Sequence, residues 1–204
     1  MLSFDPSVNT ERENYKLLTG SIVPRPIAFV TSVADDGTIN GAPFSYFNVV
    51  SSNPPMISIL IQRNEGIRKD TARNIIENKE FVVHIVDEQN VEKINKTAAS
   101  LPADESEINK ANLSLINSDK VSVPGVKEAK IRFECILEHS VELGGNSDNP
   151  GVDLIVGKIV RFHIDEEVTF DNGKIDHNKL GAVSRLAGSS YAKIGDVFSI
   201  ERPK

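Results

Sequence analysis

Two runs of alternating side chains dominate the second half of the sequence. Residues 130–143 place Ile131, Phe133, Cys135 and Leu137 at every second position, and residues 152–164 (VDLIVGKIVRFHI) are rich in β-branched side chains. A period of two puts such residues on one face of an extended chain. The connection between them, residues 144–151, is polar and rich in Gly and Asn. The pair therefore reads as a hairpin with a long loop. Strands of this length have to bury a face against other strands or helices, which commits the chain to an antiparallel β architecture.

The rest of the chain supplies the partners. Residues 27–33 (IAFVTSV) read as a strand, followed by a turn at Asp35-Asp36-Gly37, where Gly tolerates positive φ. The chain then runs through Thr38-Ile39-Asn40-Gly41 into Ala42-Pro43-Phe44-Ser45-Tyr46-Phe47-Asn48, and Asn53-Pro54-Pro55 breaks the pattern. Residues 56–61 alternate Ile57, Ile59 and Ile61, and residues 81–86 return to strand. Lys69-Asp70-Thr71 opens a helix that Asp70 or Thr71 can cap, with Ala72, Ile75 and Ile76 as its apolar stripe. Val91, Ile94 and Ala98 suggest a second helix ending near Leu101-Pro102, and residues 108–115 fit either state. Six or seven strands in hairpin-like succession with two inserted helices predict a mainly β antiparallel barrel. There is no repeat, low-complexity tract or linker, so residues 1–204 are expected to form one domain. The tail, residues 165–204, has little periodicity. An unstructured tail of this length is unusual, so it is expected to pack on the body or on a partner subunit.

Charge and cysteine content bound the function. Lys and Arg total 23 against 29 Asp and Glu, a net charge of −6. That balance argues against nucleic acid or an anionic membrane as the main partner, while local basic clusters can still hold a phosphate. A single cysteine, Cys135, cannot form an internal disulfide and fits a reducing compartment. Residues 1–14 lack the apolar run of a signal peptide, and no stretch approaches the ~20 apolar residues of a spanning helix, so the expected location is the cytoplasm.

The chain carries no Gly-x-Gly-x-x-Gly, Walker loop, Gly-x-Ser-x-Gly or Cys-x-x-Cys. His84, His139, His163 and His177 are widely spread and read as structural or exposed rather than as metal ligands, so neither a metal site nor a side-chain nucleophile is expected. Three segments stand out. Gln62-Arg63-Asn64-Glu65-Gly66-Ile67-Arg68-Lys69-Asp70-Thr71 places three cations just before a helix. Free amide groups and a positive dipole end make such a helix start suited to a phosphate. The same run reads equally as a solvated basic loop with an ordinary cap. In residues 42–48 three aromatics interleave with Ser45 and Asn48, which can face a planar ring, although by itself the run reads more readily as a core strand with a polar edge. In Ile22-Val23-Pro24-Arg25-Pro26-Ile27-Ala28 two prolines hold Arg25 extended at a strand entry.

Taken together, these segments resemble the flavin reductase-like family with the FMN-binding split barrel. Flavoredoxins and the reductase components of two-component monooxygenases belong to it. The resemblance is carried by Thr19-Gly20-Ser21-Ile22-Val23-Pro24-Arg25-Pro26-Ile27-Ala28-Phe29-Val30, by Asn40-Gly41-Ala42-Pro43-Phe44-Ser45-Tyr46-Phe47-Asn48, by Asn53-Pro54-Pro55 and by Lys69-Asp70-Thr71 with Asn74. Arg185-Leu186, Gly188, Tyr191 and Arg202-Pro203 extend it into the tail. Each piece is weak, but the ordered set is specific. The resemblance implies an antiparallel Greek-key split barrel that binds FMN as a homodimer. It implies that Ser45, Tyr46, Phe47 and Asn48 line the isoalloxazine ring and that Arg63, Lys69 and Thr71 hold the phosphate. Gln62 and Asp70 belong to that segment, with Asp70 read as a helix cap, and Arg25 is a further contributor. Arg185 and Tyr191 wall the site or the dimer; no position matches a nicotinamide-binding residue, and His177 is a candidate only as a polar residue in the tail. The implied activity is NAD(P)H-dependent flavin reduction serving a partner such as a monooxygenase. The alternative is a non-enzymatic FMN electron carrier.

Overall fold

A computed structural model describes residues 1–98, 106–146 and 150–203. In chain order, α1 (Glu11–Ser21) precedes β1 (Arg25–Pro26), β2 (Ala28–Val33), β3 (Ile39–Phe44), β4 (Phe47–Ser52) and β5 (Pro55–Gln62). Then come α2 (Asp70–Asn78), β6 (Glu80–Ile85), α3 (Val91–Lys96), α4 (Glu107–Lys110), β7 (Leu115–Ile116) and β8 (Gly125–Val126). The long strands β9 (Ile131–Leu143) and β10 (Val152–Ile164) follow, then a 3-10 turn (Glu166–Val168), α5 (His177–Leu180), β11 (Ser184–Arg185) and β12 (Tyr191–Ala192).

The expected hairpin of long strands is the spine of the molecule. β9 and β10 pair antiparallel from Ile131 opposite Ile164 to Leu143 opposite Val152, with two register shifts. Seven strands bond in the order β3-β2-β6-β9-β10-β5-β4, every pair antiparallel. The two strands at the ends of that order, β3 and β4, are successive in sequence and joined through Ser45 and Tyr46. The run that reads as one extended segment from Thr38 to Asn48 is therefore two strands with a break at those residues. The break carries the chain from one border of the sheet to the other and gives the split barrel.

Alternation decides what fills the interior. Ala28 and Val30, Ile57, Ile59 and Ile61, Phe81 and Val83, Cys135, Ile155 and Ile159 form one buried cluster, and Ala72 and Ile75 of α2 pack into it. The opposite face of β2 is buried as well: Phe29 meets Ile94 of α3, Ile108 of α4 and Val126 of β8. Burial also pushes the Cys135 thiol far up, as a structural cysteine requires. On β10, Gly157 lies under the Phe81 ring. A Cβ at 157 would come within 2.3 Å of Phe81 Cζ, so only glycine admits the ring there.

Three details differ from the sequence reading. α2 starts at Asp70 with Lys69 as its cap residue, and neither Asp70 nor Thr71 caps it; Asp70 instead pairs with Arg73 at 2.7 Å. α3 ends at Lys96, and Leu101-Pro102 lies outside the described residues. Part of the tail is ordered into strands: β11 pairs with β1 and β12, because residues 184–192 meet the strand entry at Arg25.

His84, the last residue but one of β6, is fully buried. Its Nδ1 lies 3.0 Å from the Phe29 carbonyl oxygen and its Nε2 accepts the Val126 N–H at 2.9 Å, so the ring is neutral with its proton on Nδ1. Burial lowers its pKa to about 4 from the ordinary 6.5. Above pH 6.5 neither folded nor unfolded chain is protonated there. As the pH falls towards 4, the unfolded chain takes up a proton that the folded chain refuses, and stability drops by roughly 3 kcal/mol. Denaturant titrations at pH 7 and pH 4.5 are expected to show this loss in the wild type and a smaller one in His84→Gln.

Candidate functional site

The segment at the barrel's split is half-buried. The Tyr46 carbonyl accepts the Leu60 N–H at 2.8 Å, Phe47 lies opposite Ile59 and Asn48 opposite Ser58. Phe47 packs against the barrel core, whereas Ser45 and Tyr46 are half-exposed and Asn48 is exposed. The Asn48 side-chain oxygen accepts the N–H of Val49 at 2.8 Å. Burial, reinforced by Tyr15 of α1 and opposed by Arg25, holds the Tyr46 phenol above its ordinary pKa.

The basic segment begins where β5 ends. Gln62 follows Leu60 by two residues, about 7 Å along the strand from the bond to Tyr46. Asn64 and Ile67 exchange backbone hydrogen bonds of 3.0 and 2.8 Å around Glu65 (φ 50°) and Gly66 (φ 76°). Positive φ at both central residues marks a two-residue I′ hairpin, a turn whose twist matches its flanks. It brings Arg63 and Arg68 side by side. Arg63 grips Asp153 with two bonds of 2.7 and 3.0 Å and reaches Glu142 at 2.8 Å; Arg68 bonds Asp153 at 3.1 Å and also pairs with Glu142. The Asp153 side chain is 1% exposed. Burial alone would raise its pKa, but the bonds from Arg63 and Arg68 outweigh that and hold it below the usual carboxylate range. Two cations therefore meet two carboxylates.

The third cation is placed differently. Lys69 is exposed at the start of α2, provides no side-chain cap and has no ion pair among the described residues. The first-turn amides of the helix have no partner within it. The Thr71 hydroxyl, by contrast, turns inward and donates to Asn40 Oδ1 at 2.7 Å. What Thr71 offers at the helix entrance is its backbone N–H. α2 rests on β2 and β3, and β3 runs from Asn40 into Ser45. The helix start and the polar-aromatic segment at residues 45–48 are thus tied together twice, through β3 and through β5.

Arg25 is 7% exposed. Its guanidinium donates to the carbonyls of Thr19 at 2.7 Å, Ile22 and Leu186 at 2.8 Å, so it fastens α1 and the tail to the strand entry beside Tyr46. The tail is held further by Arg185 stacked 4.4 Å over Tyr191, whose hydroxyl donates to Asn95 at 2.8 Å. His177 opens α5 and stands apart from these contacts.

Two features elsewhere were not visible in the sequence. Glu134, fully buried, accepts the N–H groups of Asp119 and Lys120 at 2.8 and 2.6 Å and lies 2.5 Å from His163 Nε2. The contact joins residues 29 apart, so no ligand-type spacing announces it. A cavity of about 560 Å³ lies among Gln89, Lys127, Lys130, Asp165, Glu167 and Lys179, and none of the sequence-derived site residues lines it.

With this geometry in place, the chain was compared with known proteins. The model of the flavin reductase like domain matches residues 19–179. The chain belongs to the flavin reductase-like family. YwrF, an uncharacterised protein of Bacillus subtilis (strain 168), is 49% identical over 204 residues, 100% of both chains. The solved structure of nitrilotriacetate monooxygenase component B from Bacillus cereus is 57% identical, has a TM-score of 0.96 and covers 98% of each chain. The 2-nitrobenzoate 2-nitroreductase NbaA of Pseudomonas fluorescens is 30% identical at a TM-score of 0.88, over 99% of this chain and 96% of its own. The fold is the family's antiparallel split barrel, and the family assigns this flavin reductase-like chain a flavin and an oxidoreductase role. No helix among the described residues is long and apolar enough to cross a membrane.

The two arginines set a stability test. Asp153→Ala leaves the nearly buried Arg63 without its bidentate partner, so a loss of about 3–5 kcal/mol is expected in denaturant unfolding. A change below 1 kcal/mol would mean that Glu142 alone holds both guanidinium groups.

Proposed function

We propose that this flavin reductase-like chain binds FMN and reduces it with NADH or NADPH, delivering electrons to a partner such as a monooxygenase. The observation that carries the reading is the helix start at Lys69: a cation with no ion pair among the described residues, on a turn without a side-chain cap, tied through β3 and β5 to the half-buried polar-aromatic segment at Ser45 and Tyr46. These residues fit a phosphorylated planar cofactor. Bound FMN would supply the capacity to accept a hydride from nicotinamide and to pass electrons on.

The chain's own residues then divide the work. Lys69 and the first-turn amides of α2 bind the phosphate, and Asp70 and Thr71 contribute backbone rather than side chain. Arg63 and Arg68, committed to Asp153 and Glu142, hold the turn that presents Lys69. Ser45, Tyr46, Phe47 and Asn48 face the ring, and their polar atoms stabilise negative charge that develops on it. Gln62 sits between the two ends. Arg25 stiffens the wall behind Tyr46 through α1 and the tail.

The site is open on a single chain. Leu18, Ile22, Val23, Val49 and Val50 are exposed around the same region, and Ile194, Val197, Phe198 and Ile200 are exposed in the tail. Burial of these residues in a homodimer completes the pocket and removes their contact with water. The similarity to a monooxygenase component B supports the class of partner. The lone buried Cys135 supports a cytoplasmic setting.

Mixing the purified protein with FMN and NADH or NADPH is expected to give loss of nicotinamide absorbance. A yellow protein silent toward both donors but reducible by a protein partner would instead be an electron carrier. Lys69→Ala removes one charge-assisted contact and is expected to weaken FMN binding roughly tenfold or more, read by flavin fluorescence titration. Unchanged affinity would place the phosphate elsewhere.

A further inference from the structure

Beneath the start of α2 lies a chain of buried polar side chains contributed by four elements. Asn40 of β3 is at its centre, 8% exposed. Its Oδ1 receives the Thr71 hydroxyl at 2.7 Å and the Ser32 hydroxyl at 3.5 Å. Its Nδ2 donates to Glu107 Oε2 of α4 at 3.2 Å, and the same oxygen accepts the Gly41 N–H at 3.4 Å. Asn74, one turn into α2, donates to Ser32 at 3.3 Å, and its own Oδ1 has no partner among the described residues. All five side chains are buried: Ser32 0%, Asn40 8%, Thr71 2%, Asn74 1% and Glu107 9% exposed.

Burying this many polar groups under a helix costs stability unless each is well paired, and an apolar contact would do the same packing at less cost. The arrangement has a direction. Glu107, which can only accept when ionised, fixes the Asn40 amide with its Nδ2 toward the carboxylate. That leaves Oδ1 facing α2, where it takes the single proton of Thr71. The helix start is therefore held at a set depth and rotation by hydrogen bonds, which fix angle as well as distance, where apolar packing would allow it to slide.

We infer that Asn40, oriented by Glu107, is a positioning residue for the phosphate end of the flavin: through the Thr71 hydroxyl it sets where the free first-turn amides of α2 and Lys69 lie. The inference rests on the phosphate reading proposed above and names residues that do not touch the ligand. It separates two halves of one site, because the side-chain hydrogen bonds of the network end on the helix start, and among the described residues none of them is made to Ser45, Tyr46, Phe47 or Asn48.

The test compares FMN with riboflavin, which carries the same ring without the phosphate. Dissociation constants for both are measured by fluorescence quenching in wild type, Asn40→Ala, Thr71→Val and Thr71→Ser. The expected result is a loss of FMN affinity of roughly tenfold in Asn40→Ala and Thr71→Val with riboflavin affinity changed by less than about twofold. Thr71→Ser, which returns the hydroxyl, is expected to restore the preference for FMN. A variant that merely loosens the barrel lowers both affinities together and overturns the inference, as does an unchanged FMN-to-riboflavin ratio. Thr71→Val preserves side-chain shape, so it decides the matter if Asn40→Ala does not fold. Failure of the wild type to prefer FMN over riboflavin would sink the phosphate reading itself, a different outcome from an unchanged ratio in the variants.

Discussion

A single nearly buried carboxylate organises the face of the barrel that carries the candidate site. Asp153, the second residue of β10 in the spine hairpin, holds guanidinium groups from both sides of the turn at residues 64–67. The turn can therefore leave β5 in only one direction, and α2 has to begin where Arg68 ends. That start determines which helix face meets the barrel, and Ala72 and Ile75 plug the interior as a result. Ion pairs in the interior rarely stabilise more than apolar packing of the same volume. Here the pair fixes the relation between a strand, a turn and a helix, and apolar side chains do not fix angles.

Much of the architecture could be read from periodicity. The alternation in residues 130–143 and 152–164 gave two strands within a residue of their observed limits, because each has one face in the core and a period of two is the direct record of that. The Ala72 and Ile75 stripe marked α2 for the same reason. The capping box at Thr10 and Glu13 was equally present in the sequence as the signature of α1, but α1 carries an exposed apolar face instead of a core stripe, and periodicity alone passes over it. β11 and β12 are two residues long, too short for any period, and become strands only because β11 pairs with Arg25 and Pro26 of β1 and β12 pairs in turn with β11.

The residues of the candidate site stood out in the sequence, but their contacts did not. Three cations before a helix were visible, but not that Asp153, 90 residues from Arg63, claims two of them. Long-range pairing leaves no local mark. The Thr71 hydroxyl had two possible directions, outward to a ligand or inward to β3, and the choice belongs to Asn40 and Glu107. Asn40 could be picked out only within the family resemblance, and Glu107 not at all, because an isolated Glu in a polar stretch reads as a solvated side chain. The same holds for Glu134, whose burial depends on a loop folding over the sheet to present two amides.

The contact between Gly157 and Phe81 has a consequence for how sequences of this family can diverge. The ring of one residue occupies the space a side chain at the other would need, so the two positions hold one shared volume across two strands. Enlarging the glycine is acceptable only in a background where the phenylalanine has already become smaller. A lineage that loses the ring first passes through a cavity, and one that gains a side chain first passes through a clash. The pair is thus expected to change jointly or stay fixed, an evolutionary ratchet built from steric exclusion at the middle of the barrel.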